Sequence, residues 1–332
     1  MSIGTPVDDT PEVIQNALRN AVNAPGYPTA AGTPALRQAW VRWAGRSLGV
    51  ELDDAQVAPT IGSKEIVAWL GTLLGLNSSS TVAIPELAYP TYAVGGMICG
   101  AKVVTYRTAA DIPTNADLIW VNSPANPSGE VLGVDELRAI VEVGRKIGAP
   151  VVGDECYFEL GWTADPVSVL DPRVCGTAQD GVLAVHSLSK RSNLAGYRSG
   201  AVLGDAVLVQ AIIGARKHSG MLLPSPIQQA TIAALDDAEH VAVQKAKYAS
   251  RRDFLHTALT AAGFTIEHSQ AGLYLWATRG QDCMETVNWF ANNGILVAPG
   301  SFYGTAGDKH VRVALTATDE RIAAAAGRLS AH

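Results

Sequence analysis

The chain has 332 residues, 48% hydrophobic and 17% charged, enough to bury one large core or two smaller ones in a soluble globular protein. Its net charge of −6, with both signs mixed and no run of five like charges, argues against a nucleic-acid or anionic-membrane surface and points to small-molecule partners. Cys99, Cys156, Cys175 and Cys283 lack metal or C-x-x-C spacing and read as free thiols, and Met1 runs into SIGTPVDD without a leader or a bilayer-length apolar stretch, so a cytoplasmic protein without bound metal is expected.

In chain order, the short apolar runs are TVAI (81–84), KVVTY (102–106), LIWV (118–121), PVVG (150–153), VLAV (182–185) and AVLG (201–204). Rich in Val and Ile and barely alternating, they read as strands buried on both faces. Helical patterns over 64–75, 134–147 and 205–218 lie between them, which predicts an α/β domain with a mainly parallel sheet. From about residue 236 the pattern changes to a long charged helix, AEHVAVQKAKYASRRDFLHTAL, then GFTIEH, LYLWAT and ILVAPG. This predicts a second, α+β region that the N-terminal segment joins in space.

Ligands of open α/β sheets lie beyond the carboxyl ends of the strands. The unusual residues of this chain are concentrated there: TIGSKE (60–65), PELAYPTY (85–92), NSPANPSG (122–129), DECY (154–157) and HSLSKRSNLAGYRSG (186–200). Gly62 allows close backbone approach, and the N–H groups of Ser63 and Lys64 at a helix start can bind a phosphate. Ser187 and Ser189 add hydroxyls, and Arg198 can meet phosphate oxygens bidentately. Tyr89 offers a flat surface for a ring. Asp154, arriving on an apolar strand, is costly to bury alone but is stabilised by a protonated ring nitrogen. Lys190 is a nucleophile for a carbonyl, activated by desolvation and neighbouring positive charge. Singly, each of these has an ordinary reading as a surface lysine, a helix start, an N-cap or a packing aromatic, and His186 reads as structural. Their succession at strand ends is what points to a phosphorylated aromatic cofactor carrying a carbonyl.

SLSK followed by GYRSG, with NPSG and DECY upstream and HVRVAL downstream, resembles the class I/II family of pyridoxal-phosphate aminotransferases of fold type I, over essentially the whole chain. The resemblance implies a large cofactor-binding domain (26–236), with a mainly parallel mixed sheet flanked by helices, and a smaller α+β domain (1–25 and 237–332). It implies that Lys190 bonds pyridoxal 5′-phosphate and moves the substrate α-proton, that Asp154 pairs with the ring nitrogen, and that Asn126 and Tyr157 hold the phenolic oxygen. Tyr89 is then the stacking residue, with Ser63, Lys64, Ser187, Ser189 and Arg198 around the phosphate. Tyr27, in GYPTAAG, matches the tyrosine that reaches the phosphate of a neighbouring subunit, which implies a homodimer with shared sites. Arg312 matches the arginine for the substrate α-carboxylate, with Gly4 and Asn126 nearby. Family members usually carry a further segment before the SIGTP position, where this chain starts.

Within the family, SIGTPVDDTP, PTIGSKEIVAWL, ELAYPTYAVGG, SLSKRSNLAGYRSG and GMLLPSPIQQA are most similar to the N-succinyl-L,L-diaminopimelate aminotransferases of lysine and cell-wall biosynthesis, with glutamate as donor. Arg191 is a candidate for the distal end of that substrate or for a helix face. Other class I aminotransferases and a C–S lyase would keep the same cofactor residues. A non-enzymatic sensor domain would need a DNA-binding module, for which no room is expected before Ser2.

Overall fold

The computed structural model describes residues 1–329. Seven strands form the larger sheet: β1 (Val57–Ile61), β2 (Thr81–Pro85), β3 (Lys102–Tyr106), β4 (Leu118–Asn122), β5 (Val151–Asp154), β6 (Val182–Ser187) and β7 (Ser199–Gly204). Their spatial order is β1-β7-β6-β5-β4-β2-β3. Neighbours from β6 to β3 pair in parallel, and β7 runs antiparallel to both β6 and β1. The arrangement is the mixed, mainly parallel sheet of fold type I. β4 to β7 are buried along their whole length because helices cover both faces, which explains their unalternating composition.

β1 is the one strand of this sheet that the apolar runs do not announce. It contains Pro59, which cannot donate to a ladder, and it stands at the sheet edge where that loss is tolerated. Two successive antiparallel pairings return β1 to the direction of β2 to β6. Its carboxyl end, which leads into the helix Ser63–Leu73, therefore lies on the same rim as theirs. β7 starts from that rim, directly after Arg198.

The second sheet contains β8 (Thr265–Glu267), β9 (Tyr274–Thr278), β10 (Ala298–Pro299) and β11 (His310–Ala314) in the order β10-β11-β9-β8, all antiparallel. Tyr248, Leu255, Leu275, Phe290, Val311, Val313 and Ile322 build a core between it and the helices Glu239–Ala261, Cys283–Asn292 and Asp319–Leu329. The first residues of the chain dock here: Ala314 N–H donates to Met1 O at 2.8 Å, and the Thr316 hydroxyl to Ile3 O at 2.8 Å. Arg251, 3% exposed, holds Asp8 and Asp319 together. No described helix is long and apolar enough to cross a membrane.

Arg216, on the helix Ala206–His218, is fully buried. Its Nε meets Glu65 Oε1 at 3.1 Å and its Nη1 donates to Pro59 O at 2.5 Å, while Glu65 Oε2 accepts from Ile61 N–H at 3.2 Å. One ion pair thus fastens β1 to the helix whose first turn faces the rim. Removing one partner of a buried pair leaves the other charge uncompensated, so Arg216→Ala should lower the unfolding free energy by about 3–5 kcal/mol in a urea titration.

Candidate active site

The rim opens into a cavity of about 570 Å³. Ser63, Lys64, Tyr89, Asn126, Asp154, Tyr157, Ser187, Ser189, Lys190, Arg198, Arg312 and Gly4 all line it. Of the candidate site residues singled out in the sequence, Tyr27 and Arg191 stand apart, and Tyr27 is 99% exposed on the surface.

One end of the cavity is a cradle for an anion. Gly62, at φ 71°, turns β1 into the helix Ser63–Leu73 and places no side-chain cap on its first turn, leaving the leading N–H groups and the positive end of the helix dipole facing the cavity. A Cβ at Gly62 would collide with the Arg198 guanidinium, so glycine is what admits that side chain. Arg198 is left-handed at φ 57° and donates to Ala195 O at 2.8 Å. The Ser187 hydroxyl lies 2.9 Å from that of Ser189 and caps its N–H at 3.2 Å. Two hydroxyls, a guanidinium and free helix amides suit a phosphate.

The floor is Asp154, the last residue of β5, 6% exposed. Its oxygens accept from neutral donors, the Tyr92 hydroxyl at 2.8 Å and Cys156 N–H at 3.3 Å. Burial pushes its carboxyl above the ordinary carboxylate range, against these hydrogen bonds. A buried acid with uncharged partners fits a protonated heterocyclic nitrogen, and Tyr89 stands at the side of the same space, edge-on to Tyr92 with centroids 5.9 Å apart. Asn122 braces the floor, donating to Asp154 O at 2.9 Å and accepting from Asn126 N–H at 2.7 Å.

The other end is built on β11. Arg312, 7% exposed, donates to Asn126 Oδ1 at 2.8 Å and to Ser2 O at 2.7 Å, and its Nε is buried without an acceptor. Its guanidinium lies 3.9 Å from the Tyr274 ring centroid and 4.9 Å from that of Tyr303. A planar cation with an unused donor is what a carboxylate requires. Between the two ends Lys190, on the short turn Leu188–Arg191, reaches Gly4 O. Burial pushes its ammonium down to about 8; Cys156 acts the other way, while Arg312 and Arg198 lower it further.

Arg191 does not enter the cavity and does not occupy an exposed helix face. It is 5% exposed, pairs with Glu159 at 2.9 Å and lies over Trp43, because its position next to Lys190 on the turn points it into the core. His186 sits behind the site, 3.2 Å from Glu155 and edge-on to Trp43. Tyr92, Asn122, Cys156, Tyr274, Tyr303, Ile3, Thr5 and Phe302 also line the cavity and were not singled out in the sequence. Tyr92, Asn122 and Cys156 lie within the marked motifs PELAYPTY, NSPANPSG and DECY, and Ile3 and Thr5 within SIGTPVDDTP, whereas Tyr274, Phe302 and Tyr303 carry no local signal.

Residues 1–329 match the family model described as aminotransferase class I and II. A probable aminotransferase of Mycobacterium tuberculosis is 54% identical over 332 residues, covering 99% of this chain and 79% of the relative. The 4-dedimethylamino-4-oxo-anhydrotetracycline transaminase of Streptomyces rimosus is 52% identical over 331 residues, covering 99% of this chain and 92% of the relative. An LL-diaminopimelate aminotransferase of Dehalococcoides mccartyi is 32% identical over 346 residues, covering 97% and 87%. The structure of an aminotransferase from Staphylococcus aureus superposes with a TM-score of 0.92 at 25% identity, covering 100% of this chain and 92% of that one.

The lowered proton affinity of Lys190 has a consequence that needs no ligand. In cofactor-free protein, competitive acylation read by peptide mass spectrometry should give Lys190 a titration midpoint near 8, against the ordinary lysine value of about 10.4. Below pH 8 the ammonium dominates and labelling falls tenfold per unit.

Proposed function

The chain belongs to the class I and II aminotransferases, is a pyridoxal-phosphate-dependent transaminase, and we propose that it moves an amino group between the glutamate/2-oxoglutarate pair and N-succinyl-2-amino-6-oxopimelate, a step toward diaminopimelate and lysine. The observation carrying the site reading is that an anion cradle, an unneutralised buried acid, a lysine of lowered proton affinity and a carboxylate-ready arginine line one cavity. The substrate reading is supported by the motif resemblance and by the 32% identical relative named for LL-diaminopimelate. Lys64, exposed on the cavity wall with its ammonium 5.8 Å from the Tyr89 ring centroid, offers a second cation to the distal carboxylates of a long tricarboxylate.

In this reading, Ser63 N–H, Lys64 N–H, Ser187, Ser189 and Arg198 hold the phosphate, and Tyr89 covers the ring. Tyr27 of a second copy reaches the same phosphate, consistent with its full exposure here, making the active unit a homodimer. When bound, pyridoxal phosphate supplies the carbonyl that takes up the amino group and a ring that accepts electrons from the substrate α-carbon. Arg312, steadied by Asn126, fixes the α-carboxylate and hence the direction of the Cα–H bond. Lys190 would anchor the cofactor and, with its amine free and neutral, would take the α-proton and return it two atoms along, across the transferred nitrogen, to the cofactor's carbonyl carbon. Asp154 keeps the proton on the ring nitrogen, and Tyr157 with Asn126 donates to the phenolic oxygen. Gly4 keeps the chain's first residues close above the lysine.

Asp154→Asn retains shape and removes charge, and kcat should fall by about three powers of ten, each about 1.4 kcal/mol of barrier, with cofactor still bound. Near-normal kcat would remove Asp154 from the chemistry.

A second reading, amination of a bulky cyclic ketone, draws on the 52% identical Streptomyces rimosus relative. A donor and acceptor panel decides: glutamate with the succinylated oxo acid should exceed aspartate, alanine, aromatic and polycyclic pairs, with no release of thiol from sulfur amino acids. Arg312→Ala should weaken both half-reactions, by about 2–5 kcal/mol, because both substrates present an α-carboxylate. If another pair is used tenfold better, the substrate reading fails and the transaminase assignment stands.

A further inference from the structure

Tyr274 joins the two ends of the cavity. Its hydroxyl lies 3.0 Å from that of Tyr157, and its ring centroid lies 3.9 Å from the Arg312 guanidinium carbon. The side chain is held in place: Tyr274 is 4% exposed, and a Cβ at Gly4 would overlap its hydroxyl, so the chain's first residues cover it closely. We propose that Tyr274 is a positioning residue that aims the Tyr157 hydroxyl proton into the cavity and fixes the plane of the Arg312 guanidinium. This rests on the roles given above to Tyr157 and Arg312.

The argument is one of proton accounting. A phenol has one proton to donate. If Tyr157 directs its proton to a ligand oxygen in the cavity, its own oxygen must accept in the 3.0 Å contact and Tyr274 must be the donor. Without Tyr274's hydroxyl, the Tyr157 hydroxyl can rotate away. The ring makes the second contribution, since a guanidinium resting on a π face keeps its in-plane N–H groups directed at a carboxylate. Hydroxyl and ring can therefore be separated by substitution.

The test uses holoenzyme of Tyr274→Phe, Tyr274→Leu, Tyr157→Phe and the Tyr157→Phe/Tyr274→Phe double variant, with thermal melting to show that each is folded. The first readout is the absorbance titration of the Lys190-bound cofactor against pH. A donor to the phenolic oxygen favours its ionised form, so Tyr157→Phe should raise the apparent pKa by about one unit, tenfold in proton affinity. Tyr274→Phe should move it the same way by a smaller amount, and the double variant should match Tyr157→Phe alone, since Tyr274 acts through Tyr157. The second readout is the KM split. Tyr274→Phe, which keeps the ring, should leave KM for both substrates within about twofold, whereas Tyr274→Leu should raise both about five- to tenfold. A Tyr274→Phe titration overlaying the wild type while Tyr157→Phe shifts would overturn the positioning of Tyr157 by Tyr274. If Tyr157→Phe itself shifts nothing, the role given to Tyr157 fails and this inference with it. An unchanged KM in Tyr274→Leu would overturn the part concerning Arg312.

Discussion

A carboxylate buried at the end of a strand is the constraint on which the rest of the site depends. Asp154 is withdrawn from water among neutral donors, and a charge in that position is tolerated only if something positive is brought to it. The surroundings keep the acid in place without neutralising it. Tyr92, stacked on Trp120 with centroids 5.1 Å apart, holds one oxygen, and Asn122 ties the Asp154 carbonyl to the loop bearing Asn126. The central strands carry this arrangement because β5 lies between β4 and β6, with Asp154 opposite Asn122 on one side and Val185 on the other.

The second sheet contributes through one long-range contact. Arg312 lies on β11, yet its guanidinium is shared between Asn126 on the large-sheet loop and Ser2 at the start of the chain. Three segments remote in sequence thus meet at one cation. Asp8 is held by Arg251, and Asn193, two residues past the lysine turn, donates to Asp9 O at 3.2 Å and to Gln244 at 2.9 Å. The first ten residues are consequently fastened at both ends, to β11 and to the helix Glu239–Ala261, with Ile3, Gly4 and Thr5 spanning the cavity between the attachments.

How much of this was legible in sequence follows from where each signal is local. Strands buried on both faces announce themselves as apolar runs, and the helix over 134–147 coincides with Val134–Ile147, which ends at a left-handed Gly148. β1 did not announce itself because Pro59 and Thr60 interrupt a run of five, and the reversed direction of β7 leaves no mark in composition. At the site, residues within Gly- and Ser-rich strand-end motifs could be marked since the chemistry is written side by side in the chain. Tyr274 and Tyr303 could not, because LYLWAT shows only an apolar run and Tyr303 lies in no marked motif until the fold sets both rings against Arg312. Arg191 shows the converse: proximity to Lys190 in sequence made it a candidate, and one step along a helical turn put it in the core against Glu159.

The placement of Lys190 shows how these charges act on one another. Burial is the main reason that its ammonium is depressed, and Arg312 and Arg198 lower it further from opposite ends of the cavity. Each of those cations faces a position suited to an anion. An anion on Arg198 and another on Arg312 cancel the repulsion that each arginine exerts, leaving burial as the dominant depressing influence. The sign follows directly: with both anions seated, the amine binds a proton more readily than in the open cavity. Below pH 8 the open cavity still holds Lys190 mainly as ammonium, though far more of it is neutral than in an ordinary lysine, and a carboxylate seated on Arg312 makes the amine a stronger base without moving it.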